Sequence, residues 1–180
     1  MDMTWLAKGL LLTVVACGVV QPVSALEIGK PAPDFTLEDT TGGKVSLHQF
    51  RGHKLVLIEF IGAAFAPTCT DNVKARGVDY QKFEDLNVQV IGISSDSTFA
   101  LKAFADSVNA PFPLLSDQNL QTIRRYGVLA PDKVRALRAY FLIDQKGILR
   151  KQWLLGLPGD DIVFSSEPIF AAIRELAIQP

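Results

Sequence analysis

Two apolar runs, residues 54–60 (KLVLIEF) and Val88–Ser94 (VQVIGIS), constrain the fold of this chain most. Short, nearly continuous apolar runs rich in Val and Ile are typical of strands that are buried on both faces of a sheet. The segment between them, residues 70–86, places Val73 and Phe83 on one side at helical spacing. A strand, a helix and a second strand in this order predict a parallel core.

The remaining segments add elements around that core. Apolar patches at residues 35–37 and 45–47 flank the sequence DTTGG and predict a β-hairpin. After the second run come a helix from Ser97, a short strand in FPLLSD, a short helix, a hairpin turned by DQKG and a final helix at residues 167–177. This order predicts one α/β domain of the thioredoxin-like fold at residues 26–180, with a mixed central sheet flanked by helices and an N-terminal β-hairpin.

The first 25 residues have a different character. Lys8 precedes an apolar run at residues 10–20, and the small residues of VSA end at Ala25, which predicts a secretory signal cleaved after Ala25. The sequence VVAC also resembles a bacterial lipobox, which would place a lipid on Cys17. A retained anchor is a third reading, although the run is shorter than the roughly 20 residues of a spanning helix. We therefore expect an exported protein, periplasmic or secreted, or one held at the membrane through Cys17.

Charge and cysteine content exclude several classes of function. The chain has 18 Lys and Arg residues against 19 Asp and Glu residues, which removes the usual electrostatic case for nucleic-acid binding. Its 2 cysteines, Cys17 and Cys69, form neither a disulfide scaffold nor a Cys-x-x-Cys pair. His48 and His53 lack spaced acidic or sulfur partners and are interpreted as solvated loop residues. No dinucleotide or phosphate-binding fingerprint is present, so we expect no metal and no cofactor.

Cys69 is the thiol that remains in the predicted mature chain. It follows Pro67, is flanked by Thr68 and Thr70, and lies between a buried strand and a helix. The first turn of a helix carries unpaired N–H groups and the positive end of the dipole, which favour the reactive thiolate. A lone cysteine is more often a small buried hydrophobe. Its place at the carboxyl end of a strand, where open α/β sheets carry out chemistry, favours function instead.

Three segments resemble the peroxiredoxins of the alkyl hydroperoxide reductase and thiol-specific antioxidant family: PAPDFTLEDTTGGKVSLHQFRG, AAFAPTCT and RAYFLIDQKGILR. The last two are most similar to the bacterioferritin-comigratory branch and its one-cysteine relatives. The resemblance spans Lys30 to about Leu155. It implies that the Cys69 thiolate attacks a peroxide oxygen and becomes a sulfenic acid, which another thiol reduces. It also implies an arginine beside the sulfur, with Arg138 as the matching residue and Arg135 in reserve, and a homodimer.

The chain departs from the family loop Pro-x-x-x-Thr-x-x-Cys at both positions before the cysteine. Gly62 stands at the proline position and Ala66 at the threonine position, and Asn72 replaces a frequent glutamate. The threonine hydroxyl would hydrogen-bond the sulfur and the peroxide, and removal of such a donor commonly lowers a rate by about a hundred- to a thousandfold. In this chain Thr68 or Thr70 would supply the missing hydroxyl.

The sequence thus predicts an exported thiol peroxidase that reduces hydrogen peroxide or small organic hydroperoxides through Cys69, assisted by Arg138 and loop amides. Because the mature chain has no second cysteine, an external thioredoxin-like protein or small thiol must regenerate it. The alternative is a non-catalytic redox-sensing or interaction module on the same fold, in which Cys69 forms mixed disulfides. A thioredoxin-type oxidoreductase is disfavoured because Cys-x-x-Cys is absent.

Overall fold

The computed structural model describes residues 26–155 and 163–178. The predicted signal segment at residues 1–25, including the lipobox at Cys17, lies outside the described residues. None of the helices in the described part of the chain is long and apolar enough to traverse a membrane.

A mixed sheet of 7 strands forms the centre of the described domain. Its spatial order is β2-β1-β5-β4-β3-β6-β7, and the strands are β1 (Thr36–Asp39), β2 (Lys44–Ser46), β3 (Leu55–Ile61), β4 (Val88–Ser94), β5 (Leu114–Ser116), β6 (Ala139–Ile143) and β7 (Leu149–Leu154). Strands β3, β4 and β5 pair in parallel, as the two apolar runs predicted, whereas the other pairs are antiparallel. The thioredoxin-like fold, the N-terminal hairpin β1–β2 and the hairpin β6–β7 are therefore confirmed.

Helices cover both faces of the sheet and follow the predicted order, with one correction. They are α1 (Pro67–Val78), α2 (Tyr80–Asp85), α3 (Thr98–Val108), α4 (Gln121–Arg125) and α5 (Glu167–Ile178), and a 3-10 helix, Leu47–Phe50, follows β2. The single helix predicted at residues 70–86 is wrong, because the chain breaks at Asp79 between α1 and α2.

Helix α1 also begins earlier than predicted. Pro67 is its first residue, a position that suits proline because the fixed φ is helical and the missing N–H has no partner there in any case. A helix that began at residue 70 would have Asp71 in its first turn, but with the start at Pro67 this residue lies beyond that turn, and the first turn of α1 contains no acidic residue. The positive end of the α1 dipole is consequently not offset by a local carboxylate.

Alternate residues of the central strands pack into two separate hydrophobic cores, one on each face of the sheet. Val56, Ile58 and Phe60 of β3 pack on the side covered by α4. Leu57 and Ile61 pack on the opposite side, with buried residues of α1, α2, α3 and α5. This alternation is the period of a strand buried on both faces. It places the side chain of residue 59 on the α1 side as well.

The pairing of β3 with β6 brings together the two segments that contain Cys69 and Arg138. These strands run antiparallel with Phe60 opposite Ala139. The carboxyl end of β3, which leads into α1, therefore lies beside the amino end of β6.

Candidate active site

Cys69 occupies the third position of α1, within its first turn and directly after the strand-to-helix loop. Ala66 precedes the helix with extended backbone angles (φ −62°, ψ 137°), and no side chain caps the helix at this residue. The N–H of Thr70 donates to the carbonyl of Ala66 at 2.8 Å and closes the first turn. The sulfur thus lies where unpaired helix N–H groups concentrate, as the sequence predicted.

The loop before Cys69 is tied to neighbouring segments. The N–H of Ala64 donates to Oδ2 of Asp96 at 2.8 Å, and the same oxygen accepts from Oγ of Ser94 at 2.7 Å. Phe65 has a left-handed φ of 63°, and its exposed ring packs edge-on against Phe104 of α3 with centroids 5.3 Å apart. Contacts from the β4 end and from α3 therefore fix the approach of the chain to α1.

Gly62 lies directly beside the sulfur. A Cβ atom at this residue would stand 3.8 Å from Sγ of Cys69 and 3.3 Å from the carbonyl oxygen of Ala136. Position 62, where the family loop has proline, therefore faces the thiol. The segment that leads to Arg138 runs along the other side of the same residue.

Arg138 is a buried charge on the α1 side of the sheet. It is 8% exposed, it directly precedes β6, and its carbonyl accepts from the N–H of Leu155 at 3.1 Å. Alternation along β6 gives Arg138 the same face as Tyr140. Arg135, the reserve candidate, is instead partly exposed and pairs with Asp132 at 2.6 Å. The structure thus brings Arg138, and not Arg135, to the buried face that carries Cys69.

Cys69 itself is buried, at 8% exposure, and packs in the apolar core that contains Leu57, Ile61 and Val73. Burial is also what a cysteine that serves only as a small core residue would show. Burial follows from the start of α1 at Pro67, which turns the third helical position toward the sheet.

The other predicted residues lie as follows. Pro67 is exposed at the first position of α1, and Thr68 and Thr70 are half-buried on either side of the sulfur. Their assignment as hydroxyl donors stays a prediction. His53 is exposed, as expected of a solvated loop residue. His48 is exposed as well, but the expectation is wrong for it, because it lies in the 3-10 helix Leu47–Phe50 and its Nδ1 is 2.9 Å from Oδ2 of Asp34. Among residues 26–155 and 163–178, no group of three or more His, Cys, Asp or Glu side chains could hold a metal ion.

A buried polar cluster on the α1 side was missed by the sequence analysis. Its members are Glu59 of β3, Asn72 and Arg76 of α1, and Tyr140 of β6. Tyr140 Oη lies 3.0 Å from Oε1 of Glu59 and 3.0 Å from Oδ1 of Asn72. Arg76 Nε lies 3.8 Å from Oε2 of Glu59, and the guanidinium is 5.5 Å from the centroid of the Tyr140 ring.

The cluster also holds the segment that precedes α5. Arg76 donates to the carbonyl of Phe164 and to Oγ of Ser166. Oδ1 of Asn72 accepts from the N–H of Phe164 at 2.9 Å, and Nδ2 donates to the carbonyl of Thr68 at 2.7 Å. Two signals could have revealed these residues: an acidic residue inside the apolar run of β3, and a helical spacing that puts Asn72 and Arg76 on the same face as Cys69.

Glu59 is a carboxyl group whose pKa the fold raises strongly. Complete burial raises the pKa of Glu59 from 4.5 to about 7, although the charges of Arg76 and Arg138 and the hydrogen bond from Tyr140 lower it. Burial raises the pKa of Tyr140 well above 10.0, and the neighbouring charge of Glu59 raises this pKa as well. Near neutral pH, the carboxyl of Glu59 is therefore divided between its neutral and charged forms.

This raised pKa predicts a specific pH dependence of stability. Between the ordinary and the folded pKa of Glu59, the folded state holds a proton that the unfolded state releases, so the free energy of unfolding falls as pH rises. The contribution from Glu59 should fall by about 2 kcal/mol between pH 5 and pH 7. Urea unfolding of Glu59→Gln should lack this decrease, whereas the exposed-site control Glu38→Gln should keep it. Parallel pH profiles for wild type and Glu59→Gln would contradict the assignment.

Comparisons with known proteins identify relatives of this chain. The model of the AhpC/TSA family matches residues 28–152. The chain is 35% identical over 139 residues to a peroxiredoxin of Aquifex aeolicus (strain VF5), covering 73% of this chain and 62% of that protein. It is 36% identical over 140 residues to the chloroplastic peroxiredoxin Q of Triticum aestivum, covering 77% of this chain and 61% of that protein.

Solved structures match over a larger share of their length. The reduced 2-Cys peroxiredoxin of Plasmodium vivax has a TM-score of 0.76 and 30% identity, and the match covers 83% of this chain and 96% of that chain. By contrast, the chain spans about three fifths of the length of the two curated relatives above.

Proposed function

The chain belongs to the AhpC/TSA family, the peroxiredoxins, and from this premise we propose that it is a thiol peroxidase in which Cys69 is the nucleophile. The observation that carries the proposal is the position of Cys69 in the first turn of α1, with no acidic residue in that turn. The buried Arg138 on the same face adds a permanent positive charge. Both features favour an anionic sulfur and an anionic leaving group.

The proposed reaction has two stages. The Cys69 thiolate attacks one oxygen of the peroxide, an S–O bond forms, and the O–O bond breaks. The departing alkoxide or hydroxide takes up a proton and leaves as an alcohol or water, and the sulfur, oxidised by two electrons, remains as a sulfenic acid. One external thiol then condenses with the sulfenic acid and releases water, and a second external thiol displaces the resulting mixed disulfide to restore Cys69.

The buried sulfur limits the substrate and the reductant. Its 8% exposure favours hydrogen peroxide and small organic hydroperoxides as substrates. The reductant is an external thiol, either a thioredoxin-like protein or a small thiol, since Cys17 is the only other cysteine of the chain. As for many relatives, assembly as a homodimer is part of the proposal.

The direct test uses the full chain with Cys17→Ser, so that Cys69 is the only thiol. Limiting hydrogen peroxide is added together with a sulfenic-acid trap, and intact mass and peptide mapping follow the product within seconds. We expect one trapped adduct per chain, on Cys69, and catalytic peroxide consumption when dithiothreitol replaces the trap. The double variant that adds Cys69→Ser should do neither. An unmodified Cys69 in the folded chain would reject the proposed activity.

The second candidate function is a redox-sensing or interaction module that forms mixed disulfides through Cys69. Gly62 and Ala66, which stand in place of the family proline and threonine, favour it. In that case peroxide consumption would be no faster than with free cysteine, while Cys69→Ser would lose a disulfide-linked partner that the wild type captures.

We also propose export, on the basis of the apolar run at residues 10–20 and the small residues that end at Ala25. The mature N-terminus distinguishes the alternatives. A chain that begins at Leu26 indicates signal cleavage, a chain that begins with acylated Cys17 indicates lipidation, and an intact N-terminus contradicts both.

A further inference from the structure

Glu59 is a buried ionisable group that the proposed reaction does not use. It lies in the middle of β3, three residues before Gly62, and is 2% exposed. Its strand neighbour on one side is Tyr140 and on the other is Gly92, which has no side chain. A carboxyl in such a place is retained at a considerable desolvation penalty.

The hydrogen bonds around Tyr140 depend on whether Glu59 carries a proton. The hydroxyl of Tyr140 lies within hydrogen-bonding distance of Glu59 Oε1 and of Asn72 Oδ1, but it has one proton to donate. The orientation of the Asn72 amide is fixed, because Oδ1 accepts from Phe164 N–H and Nδ2 donates to Thr68 O. Asn72 Oδ1 is therefore an acceptor toward Tyr140.

Two arrangements follow. If Glu59 is neutral, its O–H donates to Tyr140, and Tyr140 donates to Asn72, so every contact has a proton. If Glu59 is charged, Tyr140 must donate to the carboxylate, and the oxygens of Tyr140 and Asn72 face each other at 3.0 Å without a proton. Asn72 also holds the carbonyl of Thr68, the residue before Cys69. The proton on Glu59 therefore affects the first turn of α1.

The charges of the cluster also favour a reactive Cys69 thiol when Glu59 is neutral. Oε2 of Glu59 and Nε of Arg76 have no hydrogen-bond partner within the described ranges, so their ion pair at 3.8 Å is loose. Arg138 also interacts electrostatically with Glu59. A charged Glu59 therefore places a negative charge on the face of the sheet that carries Cys69 and Arg138, where it disfavours an anionic sulfur.

We propose that Glu59 is a positioning residue for Cys69: its neutral form completes the hydrogen-bond chain Glu59–Tyr140–Asn72–Thr68, and its charged form breaks that chain and places a negative charge on the face that carries the thiol. This inference deepens the proposed function and, as a statement about peroxide chemistry, rests on it. Thiol reactivity then falls when Glu59 ionises.

The ionisable and charged groups around Glu59 come from each element packed against it. Helix α1 contributes Arg76 and Cys69, with Asp79 at its end acting on Arg76. The β6 segment contributes Arg138 and Tyr140. On the β4 side the paired residue is Gly92, and the described residues 163–166 before α5 contribute the neutral acceptors of Phe164 and Ser166. Because the pKa of Glu59 is about 7, its titration falls in the range where the thiol is studied.

The test measures the rate of Cys69 alkylation by iodoacetamide, and separately the rate of its oxidation by hydrogen peroxide, at pH 6 and pH 8 in the Cys17→Ser chain. Gln is the matched replacement, because its amide donates to Tyr140 as the neutral acid does. The ratio of the Glu59→Gln rate to the wild-type rate should be near one at pH 6 and rise to about tenfold at pH 8, since a neighbouring negative charge that is partly screened changes a thiol equilibrium by roughly this factor. The exposed control Glu38→Gln should keep a ratio near one.

Two further measurements keep the inference falsifiable if Glu59→Gln does not fold. Difference infrared spectroscopy should detect a carboxylic-acid band that titrates near neutral pH, and Tyr140→Phe should move that titration to higher pH by removing a hydrogen bond to the carboxylate. A ratio that does not change with pH, or the lack of such a band in the wild type, overturns the inference. An alkylation ratio that rises as expected in a chain inert toward peroxide supports the role of Glu59 while rejecting the peroxidase proposal.

Discussion

Replacement of Arg138 by Met is expected to slow the oxidation of Cys69 by hydrogen peroxide by about a hundred- to a thousandfold. The guanidinium is permanently charged, buried at 8% exposure and placed on the same face of the sheet as the sulfur. Its removal takes away the positive charge nearest to the amino end of β6, where the anionic sulfur and the leaving oxygen would lie. The measurement is the second-order rate constant in the Cys17→Ser chain at neutral pH.

The chain offers a matched control for this prediction. Arg135 lies three residues earlier, is partly exposed and pairs with Asp132, so Arg135→Met should leave the rate constant within about twofold, as expected of a surface ion pair. If Arg138→Met does not fold, Arg138→Lys keeps the charge without the planar fork and should still lower the rate. Equal rate constants for the wild type and a folded Arg138 variant would remove Arg138 from the site.

Restoring a hydroxyl at position 66 is the second change with a large expected effect. Ala66 immediately precedes α1 and has extended backbone angles that suit a capping residue. A Thr side chain there can accept from the N–H groups of the first turn, which includes Cys69, and can donate its own proton toward the sulfur or the peroxide. We expect Ala66→Thr to raise the rate of Cys69 oxidation by about a hundredfold and the free energy of unfolding by about 1 kcal/mol.

Val is the control for this substitution, because it has the shape of Thr without the hydroxyl. Ala66→Val should give neither the increase in rate nor the increase in stability, which urea unfolding at a single pH measures. An equal effect of Thr and Val would mean that shape, not hydrogen bonding, limits the site. No effect of Thr on the rate would instead indicate that Thr68 or Thr70 already supplies the hydroxyl.

The sequence predicted the fold well because its strongest patterns report burial. The runs at β3 and β4 are apolar on both faces, which is typical of strands at the centre of a sheet that is covered on both faces. The break at Asp79 was not visible, since the apolar spacing of Val73 and Phe83 continues across it. Helix periodicity records which face is buried, not whether the backbone bends between two turns.

The candidate site was only partly predictable, for a related reason. Cys69 and Arg138 stand in local patterns, one at a strand-to-helix junction and the other before a buried strand. The cluster of Glu59, Arg76 and Tyr140 joins three elements that are distant in sequence, and only their packing brings these side chains together. The burial of Cys69 likewise depends on which way the first turn of α1 faces, which the start of the helix at Pro67 determines.

The second-order rate constant for oxidation of Cys69 by hydrogen peroxide, compared between the folded chain and the same chain unfolded in urea, tests the central claim most directly. The Cys17→Ser background makes the unfolded Cys69 the reference thiol, with the same sequence and no helix or buried arginine beside it. If the fold activates this sulfur, the folded chain should react at least about a hundredfold faster. A folded chain that reacts no faster than the unfolded one would contradict the account.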